Sequence, residues 1–417
     1  MSDNESQNLS VKLFAKHKHA TETSTLFGAV QQIQQSDYSA FDGDSESSWY
    51  RMRRRGQWTW QGVDPLEMEA IFARIAHSDN SRSVETLLDT VEGYRSGNWN
   101  YEWTAVGMQH QKAAQALMDE GKAKQAGEQW LQACTYFGIA AYPHLKGDSL
   151  ALQSETLAFK AFESAIAQLP FTVKTVETRL DGKSLKGYLY LPRTDATLPV
   201  VILSGSLDSL QTDLWRLFVD YFAPADIAVL TLDMPSVGHS CHWHLNEDTS
   251  RLHTAMLDKL VDVPWVDHHR VGTMGIRFGA NPAVRMAFLE PHRVKASASL
   301  GGIVHALLTD ASLMKKMPSM YLDTLGSRLG RRIPIDTLKT RLQAWSLKNQ
   351  GLLTGRRTEV PILALSLKDD PVCPESDNQM IARYSRGGKA MTLPNTPLHD
   401  GYHRALTETV KWFEDVL

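Results

Sequence analysis

The sequence predicts an α/β protein: a mostly parallel sheet with flanking helices, preceded by a helical N-terminal region. Three observations predict it. Apolar residues recur at helical spacing through the first ~165 positions, and after Pro170 the spacing changes to two. Apolar runs of strand length then alternate with helical stretches, as parallel strands joined by right-handed crossovers require. Between one such run and the next helix stands Gly275-Ile276-Arg277-Phe278-Gly279, a tight turn framed by glycines. At 417 residues the chain exceeds one ordinary core, so two units are expected, 1–165 and 166–417.

The elements follow in order. Residues 1–48 are polar and irregular, rich in Gln, Ser and Asp, and read as an arm. Helices are expected over 67–76, 84–94, 99–117, 125–141 and 150–169. Asp64-Pro65 supplies an N-cap and a first-turn proline for the first of these. Trp49, Trp58, Trp60, Trp99, Trp103 and Trp130 all fall in this region, as filler between helices. Beyond Pro170, strands 171–180 and 186–191 flank Asp181-Gly182, a hairpin signal. Further strands are expected at 199–203, 227–232, 271–274, 294–300, 361–365 and 389–393. Helices are expected between and after them at 210–223, 248–260, 280–289, 338–349, 375–384 and 403–416. Residues 309–350, broken near Pro318, Gly326, Gly330 and Pro334, read as an insertion that would form a lid.

Composition narrows the function classes. Formal charge is 44 − 47 = −3, so no basic excess points to nucleic acid. The basic run Arg51-Met52-Arg53-Arg54-Arg55 reads as a solvated helix face, with phosphate contact as the sharper alternative. Three dispersed cysteines argue for a reducing compartment and against a thiolate metal site. The N-terminus carries no apolar h-region, and no run approaches the ~20 apolar residues of a membrane span. A cytoplasmic protein without membrane association is expected. No cofactor motif is evident. His239, His242 and His244 lack the patterned carboxylate or thiolate of a metal centre, so no metal is expected either.

Four loops at carboxyl ends of strands carry the candidate chemistry. The strand–turn–helix around Arg277 is the context in which an α/β-hydrolase presents its nucleophile. An arginine stays protonated and cannot attack, but a fixed cation there suits a carboxylate or oxyanion. Phe278 beside it is a candidate substrate contact. In Ser204-Gly205-Ser206-Leu207-Asp208-Ser209, Gly205 lets backbone approach an oxyanion, and Asp208 is placed to pair with Arg277. Asp208 or Ser209 would alternatively cap the following helix. Ser206, Ser209 and Ser236 are the candidate substitute nucleophiles. Asp370 and His399 follow the last two strands in hydrolase order and would form an acid–base dyad that activates water.

Many stretches, among them Trp58-Thr59-Trp60-Gln61-Gly62-Val63-Asp64-Pro65, Leu207-Asp208-Ser209-Leu210-Gln211-Thr212-Asp213 and Arg277-Phe278-Gly279-Ala280-Asn281, resemble the FrsA-type esterases, the fermentation–respiration switch proteins. The resemblance spans nearly the whole chain. It implies a helical region packed on an α/β-hydrolase unit and carboxylesterase activity. It also implies binding to the unphosphorylated IIA glucose component of the sugar phosphotransferase system, and a role in the fermentation/respiration balance through it. The residues leave three readings open. One is a weak carboxylesterase using Arg277, Asp208, Asp370 and His399. Another is a cofactor-free lyase or decarboxylase of a small keto acid. The third is a non-catalytic regulatory binding protein.

Overall fold

The computed structural model describes residues 22–26, 43–330, 335–395 and 398–417. Among these residues the strands begin at Thr172. Before them lie α1 (Arg55–Trp60), α2 (Pro65–Ala76), α3 (Trp99–Asp119), α4 (Ala123–Ala141) and α5 (Ser149–Ile166). Asp64 Oδ1 accepts from the amides of Leu66 (2.8 Å) and Glu67 (3.0 Å), so α2 starts on the expected cap. Asn98 and Asp148 begin α3 and α5 in the same way. The helices enclose an aromatic cluster in which Trp58 meets Phe72, Trp99, Trp103 and Tyr142 at 5.5–6.4 Å.

No helix forms over 84–94, although its apolar spacing is helical. One side chain there takes carbonyls a helix would use, and the next is held by a distant segment. Thr90 Oγ1 donates to the carbonyls of Leu87 (2.7 Å) and Val84 (3.0 Å), and Asp89 accepts from the amides of Tyr50 and Arg51. Val84, Leu87 and Val91 are buried all the same.

The sheet has eight strands: β1 (Thr172–Leu180), β2 (Lys183–Leu191), β3 (Leu198–Ser204), β4 (Ala228–Leu232), β5 (Val266–Ile276), β6 (Val294–Leu300), β7 (Ile362–Leu367) and β8 (Lys389–Leu393). Their spatial order is β1-β2-β4-β3-β5-β6-β7-β8, with β1/β2 and β2/β4 antiparallel and the rest parallel. Asp181 and Gly182 both have positive φ (53° and 74°), matching the twist of the hairpin they close. Alternation along β3 sorts the core. Val201 and Leu203 pack on one side with Phe137 of α4, Phe162 of α5 and Phe413. Val200 and Ile202 face the other side, against Met256 of α6 (Arg251–Lys259) and Val284 of α7 (Ala280–Leu289).

Where one helix is expected over 210–223, four short helical turns run to Ala225. The Asp213 carboxylate accepts from the Leu210 amide (2.9 Å), and Asp226, left-handed at φ 60°, ends the run. The stretch between β6 and β7 contains α8 (Ser319–Arg328) and α9 (Ile335–Leu342) and packs on Leu207, Met234 and Phe278. Arg328, fully buried, rivets this stretch in place. It donates to the carbonyls of Leu207 (2.8 Å), His144 (2.7 Å) and Pro143 (3.1 Å), so two other segments, 143–144 and the loop after β3, are tied to this stretch by one guanidinium. The last helices are α10 (Glu375–Arg383) and α11 (Leu398–Val416). Among the described residues no helix is long and apolar enough to cross a membrane.

Candidate active site

The turn between β5 and α7 holds Arg277 at φ 55°, a left-handed conformation that non-glycine residues rarely adopt. The flanking glycines allow it. A Cβ on Gly275 would fall on the Gly279 carbonyl, and one on Gly279 would strike the Ser204 carbonyl of β3. The Arg277 side chain is only 2% exposed. Its Nη1 donates to Asp370 Oδ2 at 2.6 Å and to the Gly301 carbonyl at 3.2 Å. Asp370 Oδ1 accepts from the amides of Val372 (2.9 Å) and Cys373 (3.1 Å), so this carboxylate is committed to holding the arginine. The side chain of His399 lies outside the described residues; its backbone is in the first turn of α11.

Asp208 does not pair with Arg277, and it caps no helix. Arg54 reaches it first, with Nη2 to Oδ2 at 2.6 Å and both groups buried. The basic run is therefore not a solvated helix face. Residues 51–54 precede α1 in non-helical backbone, with Arg53 bridged to Asp44, and Arg51, Arg53 and Arg54 are 3%, 4% and 7% exposed. Each finds aromatic cover and an acid: Arg51 lies over Trp99 with Asp89, Arg53 over Trp49 with Glu46, Arg54 over Tyr142 with Asp208. Burial works to raise the Asp208 carboxyl's pKa, but Arg54, the Ser206 hydroxyl and Arg328 outweigh it and hold the pKa below the usual carboxylate value. Burial, and then the Arg55 charge, push Arg53 below the usual arginine value.

A cavity of about 220 Å³ lies at the seam between the helical region and the sheet. Gly205, Ser206 and Ser209 line it from the loop after β3, Arg277 from the turn, and Arg54 and Trp60 from the helical side. Leu214, Leu217, Tyr221, Ile276 and Leu406 make its apolar flank. Asp208 and Asp370 stand behind their arginines rather than on the wall. Two expected substrate contacts are elsewhere. Ser236 is buried in its own turn, where Oγ donates to the Trp243 carbonyl (2.9 Å), and Phe278 packs edge-on to Trp345. Both face the packed stretch between β6 and β7 instead of the cavity.

His403 is a wall residue that the motif reading missed. It stands on α11 one turn after His399, and its Nδ1 lies 3.0 Å from the Tyr221 hydroxyl. The available signal was the spacing of four, which puts both histidines on one helix face. Among the described residues no group of three or more His, Cys, Asp or Glu side chains is arranged to hold a metal ion.

A family model described as esterase FrsA-like matches residues 4–417. The chain is 52% identical to an esterase FrsA of Photobacterium profundum and 50% identical to one of Vibrio cholerae, in each case over all of both chains. Among solved structures it is similar to a 2,6-dihydroxy-pseudo-oxynicotine hydrolase. That match has a TM-score of 0.70 at 18% identity, covers 87% of this chain and 95% of the other, and shows the shared fold. The fold is that of the α/β-hydrolases, and the chain is an esterase-like hydrolase. It belongs to the FrsA-like esterase family.

Proposed function

We propose that the chain is a carboxylesterase that hydrolyses short-chain esters in the cavity at the seam, with arginine where hydrolases of this fold carry the elbow serine. The observation that carries this reading is Arg277 itself, fixed at the turn by Asp370 on the wall of a cavity large enough for a small ester. A guanidinium held before the reaction begins stabilises the negative charge that develops on a carbonyl oxygen as it becomes tetrahedral. Water then supplies the attacking oxygen. Its proton passes through His403, held by Tyr221 at 3.0 Å, to the departing alcohol, so acid and alcohol are the products. Loss of an elbow serine lowers kcat by up to ~10⁶ in a serine hydrolase and leaves ~10³–10⁴ over water, so turnover is slow.

The test is hydrolysis of a short-chain aryl ester by the parent, Arg277→Ala and His403→Ala, with a fluorophosphonate probe read by intact mass. Activity lost in both variants and no adduct agree with the reading. Unchanged turnover in both removes this cavity from the reaction, and an adduct on Ser206 or Ser209 replaces water with a serine. We also propose, on the family resemblance of the helical region, that the chain binds the unphosphorylated IIA glucose component. Retention of that protein by the full chain, and its loss on phosphorylation, checks this.

A further inference from the structure

The charged groups on the cavity wall are unequal in sign. Among the described residues, Arg53, Arg54, Arg55 and Arg277 line it against Asp44 and Asp213, because Asp208 and Asp370 sit behind their partners. Each of those two ion pairs is a dipole with its positive end toward the cavity, in surroundings too dry to screen it. Asp213 has one carboxylate oxygen engaged in its own loop, by the Leu210 amide. Burial raises its pKa despite His144 nearby. Arg53 supplies a second, independent observation. Its side chain is 5% exposed and meets Glu46 at one end, yet its Nε is buried with no hydrogen-bond acceptor among the described residues. The guanidinium lies over Trp49 and Phe72, and Arg53 stands on the cavity wall beside Arg54. Opposite these groups the wall is apolar, through Leu214, Leu217, Ile276 and Leu406.

We propose that the ester this cavity takes is itself an anion: it carries a free carboxylate, bound against Arg53 and Arg54, while its ester carbonyl lies at Arg277 and its methylene chain follows the apolar flank. The inference rests on the esterase reading and names its substrate class, the monoester of a dicarboxylic acid.

Monomethyl adipate and methyl hexanoate have acyl chains of equal length and differ in the terminal carboxylate, so the pair isolates the charge. With the full-length protein at low salt, acid release followed by titration is expected to give a kcat/KM at least tenfold higher for the adipate, through KM. The advantage should shrink to threefold or less in Arg53→Gln, and be kept in larger part by Arg53→Lys, in proteins whose thermal unfolding shows them folded. Cleavage of methyl hexanoate equal to that of the adipate overturns the inference and leaves the esterase reading standing. If neither ester is cleaved the esterase reading fails. Calorimetry with monomethyl adipate then judges the charge preference alone, and no binding refutes it.

Discussion

Replacing Asp370 by Asn removes the charge that faces Arg277 while keeping an oxygen for the Val372 and Cys373 amides. The two side chains are 2% and 0% exposed and meet at 2.6 Å, so little solvent screens the pair. At an effective dielectric near 20, charges ~4 Å apart interact by ~4 kcal/mol, and removing one partner of a buried pair costs about 3–5 kcal/mol. Arg277→Met should cost a similar amount, since methionine keeps part of the stem and inherits the same backbone strain. The double variant leaves neither charge alone, so it should lose less than the sum, with a coupling of at least ~2 kcal/mol. Urea unfolding of the four proteins, followed by two probes, measures this. Additivity within ~0.5 kcal/mol would refute the claim that Asp370 serves to hold the arginine.

Two further outcomes are expected. His253 is buried beside the Ser204 hydroxyl (2.5 Å), and burial alone depresses its pKa to about 4. Its folded value lies below the unfolded ~6.5, so its share of stability is complete above pH 6.5 and drains as pH falls toward 4. Between pH 7.5 and 5 that share is on the order of 2 kcal/mol, and His253→Gln should flatten the fall in urea midpoint over this range. Arg328→Met strips a charged donor from the carbonyls of Leu207, His144 and Pro143. It should destabilise by at least ~4 kcal/mol, at about 1.5–3 kcal/mol for each charged hydrogen bond. Hydrogen exchange should then rise first around Leu207 and Leu245, whose amide bonds the Arg328 carbonyl at 2.8 Å.

The central strands were legible because a sheet covered on both faces leaves apolar runs of fixed length, and those runs need no distant partner to be recognised. The turn at Arg277 was legible for the same local reason: two glycines and a change of period frame it. What periodicity does not carry is which distant charge answers which. Asp208 is 154 residues from Arg54, and the arginine's neighbours in sequence are themselves arginines, a pattern that reads as a wet surface until aromatic rings cover it. The stretch 84–94 misleads in the opposite way. Its apolar residues are buried at helical spacing, while Thr90 takes local backbone carbonyls and Asp89 is bound to the distant amides of Tyr50 and Arg51. His403 lies outside any loop motif because it sits inside a helix, where a reading confined to strand ends does not look.

The contact between Arg54 and Asp208 bears on how this molecule can be dissected. A fragment starting at Pro170 would keep all eight strands, yet it would strand one deep carboxylate, take two acceptors from Arg328 and open the chamber to bulk water along a whole side. The two halves therefore have to be inherited and expressed together, and neither serves as a spare part for the other.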